Sequence, residues 1–299
     1  MRHDLARKLA ALTPSLGENP TPIPGLALYR RTRPTACTLA TYEPSFTVFV
    51  QGRKRINLGG TVYLCDETSF LLSSIDVPAE SQILQASEKV PMLSMFLRLD
   101  MPMVREVLSR EDLPEPETNV QPRGLAVGET TVGLLSACAR LLDLLDTPED
   151  IPFLSHLILR EIVYRILRTP QGKRLRAIAT TGDLSHRTAR AIAWLRANYA
   201  RPLHIDELAA IARMGVSTLH HQFRGLTAMS PLQYQKQLRL QKARQRMLTD
   251  GIDATSAAYE VGYESVSQFN REYSRFFGQP PMRDIKSLRL SGHAVMNVA

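Results

Sequence analysis

A short segment near the end of the chain carries side chains suited to hydrogen bonding with base edges in DNA. After the turn Val261-Gly262-Tyr263, the spacing predicts a helix that starts at Ser265 and stops before Gly278 and Pro280-Pro281. Three aromatic residues recur at helical spacing and are predicted core positions: Phe269, Tyr273 and Phe276. The positions left facing outward are Ser267, Gln268, Asn270, Arg271, Ser274 and Arg275. Hydroxyl, amide and guanidinium groups on one helix can read the major groove.

An upstream segment, residues 212–224, repeats this layout. Gly215 predicts a tight turn, and Ser217 opens a second helix or caps its start. Leu219 and Phe223 are four residues apart and are predicted core positions. The side chains thereby turned outward are Thr218, His220, His221 and Arg224. The chain is therefore predicted to carry two recognition helices, although the two histidines fit solvated polar positions equally well.

Arg271 is the outward side chain best suited to a sequence-specific contact. Its guanidinium can bond O6 and N7 of one guanine in a bidentate manner, whereas the alternative, a phosphate contact, carries no sequence information. Phosphate contacts are predicted for four other basic residues: Arg224, Arg239, Lys242 and Arg275.

The segment between the two predicted recognition helices suits a rigid connector. Pro231 begins a helix that continues from Leu232 to Leu248. Its predicted core positions are Tyr234, Leu238, Ala243 and Met247. At the rise of an α-helix this connector spans on the order of 27 Å. That length approaches the roughly 34 Å between successive major grooves on one DNA face.

The formal net charge of +8 is concentrated in the last third of the chain. Residues 1–180 hold 21 Lys and Arg against 20 Asp and Glu, a net of +1, whereas residues 181–290 hold 16 against 9, a net of +7. This localisation suits neutralisation of phosphates and predicts salt-sensitive binding. An anionic membrane would also attract a basic segment, but the apolar residues repeat in short helical units rather than on one long amphipathic face. Double-stranded DNA is therefore the predicted partner.

The segment from Pro24 to about Arg98 is predicted to be β-structure. Short runs of β-branched and aromatic residues alternate with turn residues, and Gly59-Gly60 predicts a hairpin. The predicted strands are 26–29, 46–50, 55–58, 62–64, 70–72 and 93–97. Strands at this spacing favour a small barrel or sandwich, such as a cupin-like jelly roll with room for a small molecule. The predicted fold class is α+β, with this β domain followed by helical units.

Polar residues in the β segment are candidates either for an effector pocket or for the interface with the DNA-binding half. The sequence does not rank these alternatives for Tyr42, Glu43, Gln51 and Arg53. A histidine-based metal site inside the barrel is excluded, because no histidine lies between residues 4 and 155. No cofactor is predicted, and the roles left for the barrel are ligand sensing and scaffolding.

Helical periodicity begins at Met101 and continues to about Ile178. Its leucine- and isoleucine-rich stripes mark either ordinary core positions or a dimerisation surface, so homodimerisation is a hypothesis at this point. A proline-bearing stretch from Leu113 to Gly124 is predicted to be a loop. The basic stretch from Gly172 to Arg176, followed by Thr180-Thr181-Gly182-Asp183, is predicted to be a linker between the two halves of the chain.

The three cysteines, Cys37, Cys65 and Cys138, lack the spacing of a disulfide framework or a zinc site and are predicted to be free thiols. Cys37 or Cys65 would react with electrophiles if a neighbouring cation lowered its pKa, and the alternative is an incidental or buried thiol. No window approaches the roughly 18 uncharged apolar residues of a membrane span, and no signal peptide is recognisable. A cytoplasmic protein is expected.

The C-terminal third resembles the AraC/XylS family of transcriptional regulators over about residues 190–288. The residues that carry this resemblance are Gly262-Tyr263, Ser265, Ser267, Phe269, Arg271, Phe276-Phe277-Gly278 and Pro280-Pro281. The N-terminal half resembles the N-terminal domain of one subgroup of that family. Its matching residues are Tyr29-Arg30-Arg31, Tyr42-Glu43-Pro44-Ser45 and Val50-Gln51-Gly52-Arg53-Lys54.

The resemblance implies a sequence-specific transcriptional regulator without enzymatic activity, with two helix-turn-helix units joined by a long helix. The base contacts that it implies are Ser217, His220, His221, Ser267 and Arg271. Two positions depart from the family pattern. His204 stands where a capping serine or threonine is usual, and Tyr273 stands where phenylalanine is more typical. Promoter DNA is the implied partner, with RNA polymerase and an unidentified small-molecule effector as further candidates.

The expected organisation has five parts. They are a helical lead-in over 1–20, a cupin-like β domain over 21–100, a helical linker or dimerisation subdomain over 101–180, the DNA-binding domain over 185–288 and a tail over 289–299. Two other classes of function stay open: an architectural DNA binder and a DNA-binding module fused to an enzyme. The second class requires a reactive cysteine in a Pro-Cys-His setting or a zinc–cysteine cluster, and the sequence has neither.

Overall fold

The computed structural model describes residues 2–109 and 123–290. These residues form two compact units, the first ending at Arg187 and the second beginning at Thr188. The strands, which all belong to the first unit, are β1 (Gly17–Pro20), β2 (Leu26–Arg31), β3 (Thr38–Tyr42), β4 (Ser45–Gln51), β5 (Arg53–Leu58), β6 (Thr61–Cys65), β7 (Ser69–Ser73), β8 (Val77–Gln85), β9 (Met92–Arg98) and β10 (Leu125–Glu129).

Helices precede the first strand, lie between β9 and β10, and follow the last strand. Those of the first unit are α1 (Arg2–Ala11), α2 (Met101–Leu108), α3 (Val132–Asp143), α4 (Ile151–Leu167) and α5 (Gly172–Ala179). The division between the units falls within α6 (Leu184–Ala197). Those of the second unit are α7 (Ile205–Ala212), α8 (Val216–Thr227), α9 (Pro231–Thr249), α10 (Ala254–Glu260), α11 (Val266–Phe277) and α12 (Pro281–Leu290). The α+β fold class is confirmed.

The strands pair as two antiparallel sheets. The six-stranded sheet has the order β1-β2-β9-β4-β7-β10, and the four-stranded sheet has the order β3-β8-β5-β6. The predicted hairpin is confirmed, because Gly59 and Gly60 join β5 to β6 with φ angles of 56° and 87°.

The two faces of the six-stranded sheet differ in chemistry. On one face, apolar residues such as Leu28, Val48 and Leu97 share a core cluster with residues of the helices α1 to α5. The other face is also buried, yet strand alternation gives it hydroxyl groups, among them Thr47 and Ser94. The first unit therefore has an apolar core under its helices and a more polar interior on the opposite side of the sheet.

All six predicted strands are present and are longer than predicted, but the sequence pattern misses β1, β3, β8 and β10. In β8 the apolar alternation is obscured by Pro78 and by the buried, polar Ser81. β10 lies within the segment predicted to be helical and pairs with β7, so the chain returns to the sheet after α2. Residues 113–122 of the predicted proline-bearing loop lie outside the described residues.

The basic stretch at 172–176 is not a linker but the start of α5. Leu175 and Ala179 belong to the same core cluster as the six-stranded sheet, and Ile178 is also buried. These apolar residues recur at helical spacing, so burying them stabilises α5 despite its basic composition. The helical periodicity predicted from Met101 onwards is otherwise confirmed by buried residues in α2, α3 and α4.

The connector of the second unit is α9, which starts as predicted. Ser230 caps it through a capping box with Gln233, and Pro231 occupies its first turn, where a missing N–H costs nothing. The four predicted core positions, Tyr234, Leu238, Ala243 and Met247, are all buried.

A buried polar group explains the tyrosine at position 273. Tyr273 Oη donates a hydrogen bond to Asp284 Oδ2 at 2.7 Å, and Arg244 binds both oxygens of the same carboxylate at 2.8 Å. The Arg244 guanidinium also lies 4.3 Å from the centroid of the Phe277 ring. Phenylalanine at this position would lack the hydroxyl that joins α11 to α12.

Candidate functional site

The turn before α8 differs from the prediction. α7 ends at Ala212, and Arg213 adopts the left-handed conformation with a φ of 53°. Gly215 instead has an extended backbone, with a φ of −67°, and is the N-cap residue. α8 begins at Val216, one residue before Ser217. The turn therefore depends on a left-handed arginine, a conformation that is uncommon for residues other than glycine.

α8 presents the predicted polar side chains to solvent. Leu219 and Phe223 are fully buried, and the Phe223 ring packs edge-to-face on Tyr234 of α9 at 5.5 Å between centroids. The predicted DNA-facing residues of this helix are all exposed: Ser217, Thr218, His220, His221 and Arg224. Four of them follow the spacing i, i+3, i+4, i+7 and so share one face.

The turn before α11 requires a glycine. Gly262 has a φ of 89°, and a Cβ atom there would lie 2.0 Å from the carbonyl oxygen of Ala200. Only a residue without a side chain fits this approach. Ser265 is the N-cap of α11, where its side chain accepts a hydrogen bond from the Gln268 main chain at 3.3 Å.

α11 also presents its predicted polar residues to solvent. Phe269 and Tyr273 are fully buried, which leaves Ser267, Gln268, Asn270, Arg271 and Arg275 exposed. Gln268 Nε2 donates to Glu272 Oε1 at 3.3 Å. Among the described residues, Arg271 forms no ion pair.

Arg239, a predicted phosphate contact, donates its hydrogen bonds within the second unit. Its Nε donates to the carbonyl of Tyr199 at 2.7 Å, and its Nη1 donates to the carbonyl of Gly262 at 2.8 Å. Its Nη2 donates to the carbonyls of Ala200 and Arg201 at 3.2 and 2.8 Å. All three guanidinium nitrogens are thus engaged, and they join the segment before α7 to the turn before α11.

The other predicted phosphate contacts differ in exposure. Arg224 and Arg275 are exposed. Lys242 is half-buried, donates to Gln245 Oε1 at 3.2 Å, and has its pKa lowered by burial and by the nearby Arg196. The structure therefore presents Arg224 and Arg275 to solvent more fully than Lys242.

The four effector candidates do not come together. Tyr42 is buried in the four-stranded sheet, where burial raises its pKa. Glu43 forms an ion pair with Arg98, with 3.0 Å between Glu43 Oε1 and Arg98 Nε. Gln51 donates to a main-chain carbonyl just before β9 at 2.6 Å, and Arg53 is exposed. Of the four, Tyr42 alone is fully buried.

The cation beside Tyr42 is Lys54, not the predicted candidate Arg53. Strand alternation buries Lys54 together with Ile56 and Leu58 and turns Arg53 outward. The side chain of Lys54 is 4% exposed, and its Nζ lies 5.4 Å from the centroid of the Tyr42 ring. Burial lowers the pKa of Lys54 to about 8. The sequence does indicate this burial, because Lys54 is two residues from Ile56 and four from Leu58 and so lies on the same face of the strand.

The cysteines do not meet the condition set for reactivity. Cys37 is exposed, but partial burial and the nearby Glu80 raise its pKa. Burial raises the pKa of Cys65 and of Cys138 to about 12. Within residues 2–109 and 123–290, no three histidine, cysteine or acidic side chains are grouped in a way that could hold a metal ion. In the same residues, no helix has the length and apolar character required to cross a membrane.

Two family profiles match the chain. Residues 22–174, more than half of the chain, match the AraC-type transcriptional regulator N-terminus. Residues 208–286 match a helix-turn-helix domain. The first match lies within the sheet-bearing unit, and the second lies within the unit that contains α8 and α11.

Individual proteins resemble different extents of the chain. The HTH-type transcriptional activator RhaS of Yersinia pestis (strain Pestoides F) is 32% identical over 105 residues, which are 35% of this chain and 38% of RhaS. The chain thus spans well under half of the length of this relative.

Solved structures of ToxT from Vibrio cholerae strain SCE256 share the fold. An apo variant superposes with a TM-score of 0.57 at 10% identity, covering 87% of this chain and 96% of ToxT. The wild-type protein with a bound unsaturated fatty acid has a TM-score of 0.56 at 12% identity, covering 90% and 96%.

Proposed function

We propose that this chain, which belongs to the family of AraC-type transcriptional regulators, controls transcription by placing α8 and α11 in successive major grooves of promoter DNA. The observation that carries this proposal is a pair of exposed polar helix faces held by one connector. α9 has 19 residues, a length of about 28 Å, against roughly 34 Å between successive grooves. The excess of basic residues in this part of the chain supports association with phosphate.

The proposed contacts divide into base edges and phosphates. For base edges we propose Ser217, Thr218, His220, His221, Ser267, Gln268, Asn270 and Arg271. For phosphates we propose the exposed Arg224 and Arg275. Lys242 is a weaker candidate because it is half-buried, and Arg239 is left out because its donors are engaged by main-chain carbonyls.

The first unit is proposed to sense a small molecule and to modulate DNA binding or the recruitment of RNA polymerase. In this scheme a sensing domain over 21–180 includes β2 to β10 and α2 to α5, and a DNA-binding domain covers 185–288. No catalytic step is part of the proposal, and the site of action is the cytoplasm.

The base-reading role of Arg271 gives a direct test of the proposed function. Arg271→Ala is expected to weaken binding to a specific site by about 1 to 3 kcal/mol and to relax the preference at one base position. Footprinting on genomic fragments first identifies the sites, which we expect to be discrete and to cover about two adjacent major-groove turns. Affinities of wild type and variant are then measured on such a site, on single-base changes of it and on random DNA.

Arg275→Ala is the matched control, because loss of a phosphate contact weakens specific and random DNA alike. An equal loss on both DNAs for Arg271→Ala would reject base reading by this residue. Diffuse protection with no discrete sites would favour an architectural binder instead of a regulator.

The outer face of α4 supports a proposal of homodimerisation. Phe153 is 72% exposed and Leu157 50%, and these two residues are one helical turn apart. Leu154 and Tyr164 extend the exposed apolar face along the same helix. Exposed apolar side chains grouped on one helix are typical of protein interfaces.

A charge on this face should prevent dimerisation. Leu157→Asp is expected to weaken self-association more than about tenfold, because the carboxylate would be desolvated without a partner. Sedimentation analysis at micromolar concentration, with and without DNA, measures the effect. Leu16→Asp, at a position 66% exposed outside α4, is the control and should leave the mass unchanged. A wild-type chain that stays monomeric under both conditions would contradict the proposal.

A further inference from the structure

A buried cation without a counter-ion lies in the four-stranded sheet. Lys54 is 4% exposed, yet among residues 2–109 and 123–290 no carboxylate forms an ion pair with it. Its partner across the β5–β6 pair is Cys65, whose pKa is raised to about 12 by burial, so that this neighbour is a neutral thiol. Buried charges in proteins are normally paired, because the desolvation of a lone ion is costly.

Two hydroxyl groups near Lys54 share this lack of partners. Tyr42 Oη and Ser81 Oγ are both buried and accept or donate no hydrogen bond within the described residues. Burial raises the pKa of Tyr42 and the proximity of Ser81 offsets part of that rise, but the two hydroxyls do not adopt hydrogen-bonding geometry with each other. Tyr42, Ser81 and Lys54 lie on three adjacent strands, β3, β8 and β5. Three unpaired polar groups on neighbouring strands point to a missing common partner.

A second cation approaches Lys54 from the six-stranded sheet. Arg31 on β2 is half-buried, and its charge opposes protonation of Lys54. Glu18 offsets part of the Arg31 charge. The nearby like charge makes an anion, rather than a neutral molecule or a cation, the expected partner of Lys54.

The surrounding side chains indicate the body of the ligand. Strand alternation places Tyr29, Phe49 and Phe96 on the face of the six-stranded sheet that also carries Arg31, and all three are buried. Tyr29 and Phe96 form an edge-to-face pair, with 6.3 Å between centroids. Aromatic side chains of this kind suit a hydrocarbon body. A carboxylate accepts several hydrogen bonds at two oxygens, which matches one ammonium and two hydroxyl donors.

We propose that the interior of the first unit binds an organic monocarboxylate with an apolar body, whose carboxylate accepts hydrogen bonds from Lys54 Nζ, Tyr42 Oη and Ser81 Oγ. This inference rests on the proposed sensing role of that unit. The ligand supplies the counter-charge for Lys54 and satisfies both hydroxyls, so ligand-free and ligand-bound states differ in the energy of one small cluster. Such a difference can couple binding to the state of the whole unit.

The test compares molecules that differ only in their functional group. The full-length chain is titrated calorimetrically with octanoate, 1-octanol and octanal, and with phenylacetate, 2-phenylethanol and phenylacetaldehyde. We expect a carboxylate to bind at least about tenfold more tightly than its matched alcohol, as charge-assisted hydrogen bonds predict. Lys54→Met is expected to remove this tenfold preference while leaving alcohol binding unchanged.

Two further variants separate binding from folding. Tyr42→Phe keeps the ring and is expected to weaken carboxylate binding a few-fold, about the effect of one hydrogen bond. Arg55→Met alters an exposed residue of the same strand and should leave the affinities unchanged. Circular dichroism of each variant verifies that the fold is retained.

Several results would overturn the proposal. They are failure of both carboxylates to bind, equal affinity for acid and alcohol, and unaltered acid binding by Lys54→Met. Either aldehyde could instead form an imine with the Lys54 amine, with loss of water, and borohydride would reduce this imine to a stable secondary amine. Detection of that amine, with no acid binding, would assign a carbonyl ligand instead. Footprinting of the same preparations separates the two levels: discrete DNA sites without carboxylate binding would reject this ligand class and leave the regulator intact. Absence of discrete sites would reject the proposed function itself.

Discussion

Replacing Lys54 with methionine is expected to raise the free energy of unfolding of the first unit by about 3 kcal/mol at pH 7. The folded chain holds this amine at a pKa of about 8, whereas its ordinary value is 10.5. Methionine has a similar length without the charge, so the variant removes the desolvation penalty and keeps most of the packing. The same unpaired charge that destabilises the ligand-free unit would serve recognition of an anion, a common trade between stability and function.

The stability difference between Lys54→Met and wild type should depend on pH, because the pKa of Lys54 is lowered in the folded chain. Below pH 8 the folded and unfolded states both carry the proton on Lys54, and the full penalty applies. Between pH 8 and about 10.5 the unfolded state binds more protons, so the wild-type chain gains stability as the pH rises. The advantage of Lys54→Met should therefore be largest below pH 8 and should vanish towards pH 10.5.

Urea unfolding at several pH values measures this difference. Far-UV circular dichroism follows the whole chain, while the fluorescence of Trp194, the single tryptophan in the sequence, reports the second unit as an internal reference. Lys89→Met changes an exposed lysine of the first unit and should alter stability by no more than about 0.5 kcal/mol. A loss of stability in Lys54→Met at pH 7, or a difference that grows with pH, would contradict the assignment of Lys54 as an unpaired buried cation.

Replacing Arg239 with methionine is expected to destabilise the second unit by about 3 kcal/mol and to weaken promoter binding at least about tenfold. The variant removes the hydrogen bonds from one guanidinium to the carbonyls of Tyr199, Ala200, Arg201 and Gly262. These carbonyls belong to the segment before α7 and to the turn before α11. We expect DNA binding to fall because the turn before α11 loses its hydrogen bond to the connector helix α9.

Unfolding followed by Trp194 fluorescence and DNA titrations at several salt concentrations measure both effects. Arg246 lies on the same helix as Arg239, and Arg246→Met removes its surface ion pairs with Asp250 and Glu260. This change should cost no more than about 1 kcal/mol. A phosphate contact would behave differently, because its loss leaves stability unchanged and lowers the salt dependence of binding by about one ion. That second pattern would restore the original prediction for Arg239.

Much of the fold could be predicted from local sequence patterns. The helices α8 and α11, their buried Leu219, Phe223, Phe269 and Tyr273, and the Gly59-Gly60 hairpin are confirmed. Each of these features depends on the spacing of nearby residues. The misses have physical reasons. Pro78 and the buried Ser81 obscure the alternation of β8, and β10 has no alternation of buried and exposed residues.

The amino-acid sequence by itself determined that the chain carries two helix-turn-helix units on a basic segment behind a β domain. The spacing of apolar residues, the turn residues and the local charge are properties of short segments. They can therefore be recognised without knowing which segments contact each other in the fold. The hydrogen bonds of Arg239 and the burial of Lys54 depend on the tertiary structure. Arg239 binds the carbonyl of Tyr199, which is 40 residues away along the chain, and that of Gly262, which is 23 residues away. A buried Lys54 beside Tyr42 likewise requires the pairing of separate strands, since one position along β5 separates the interior from solvent.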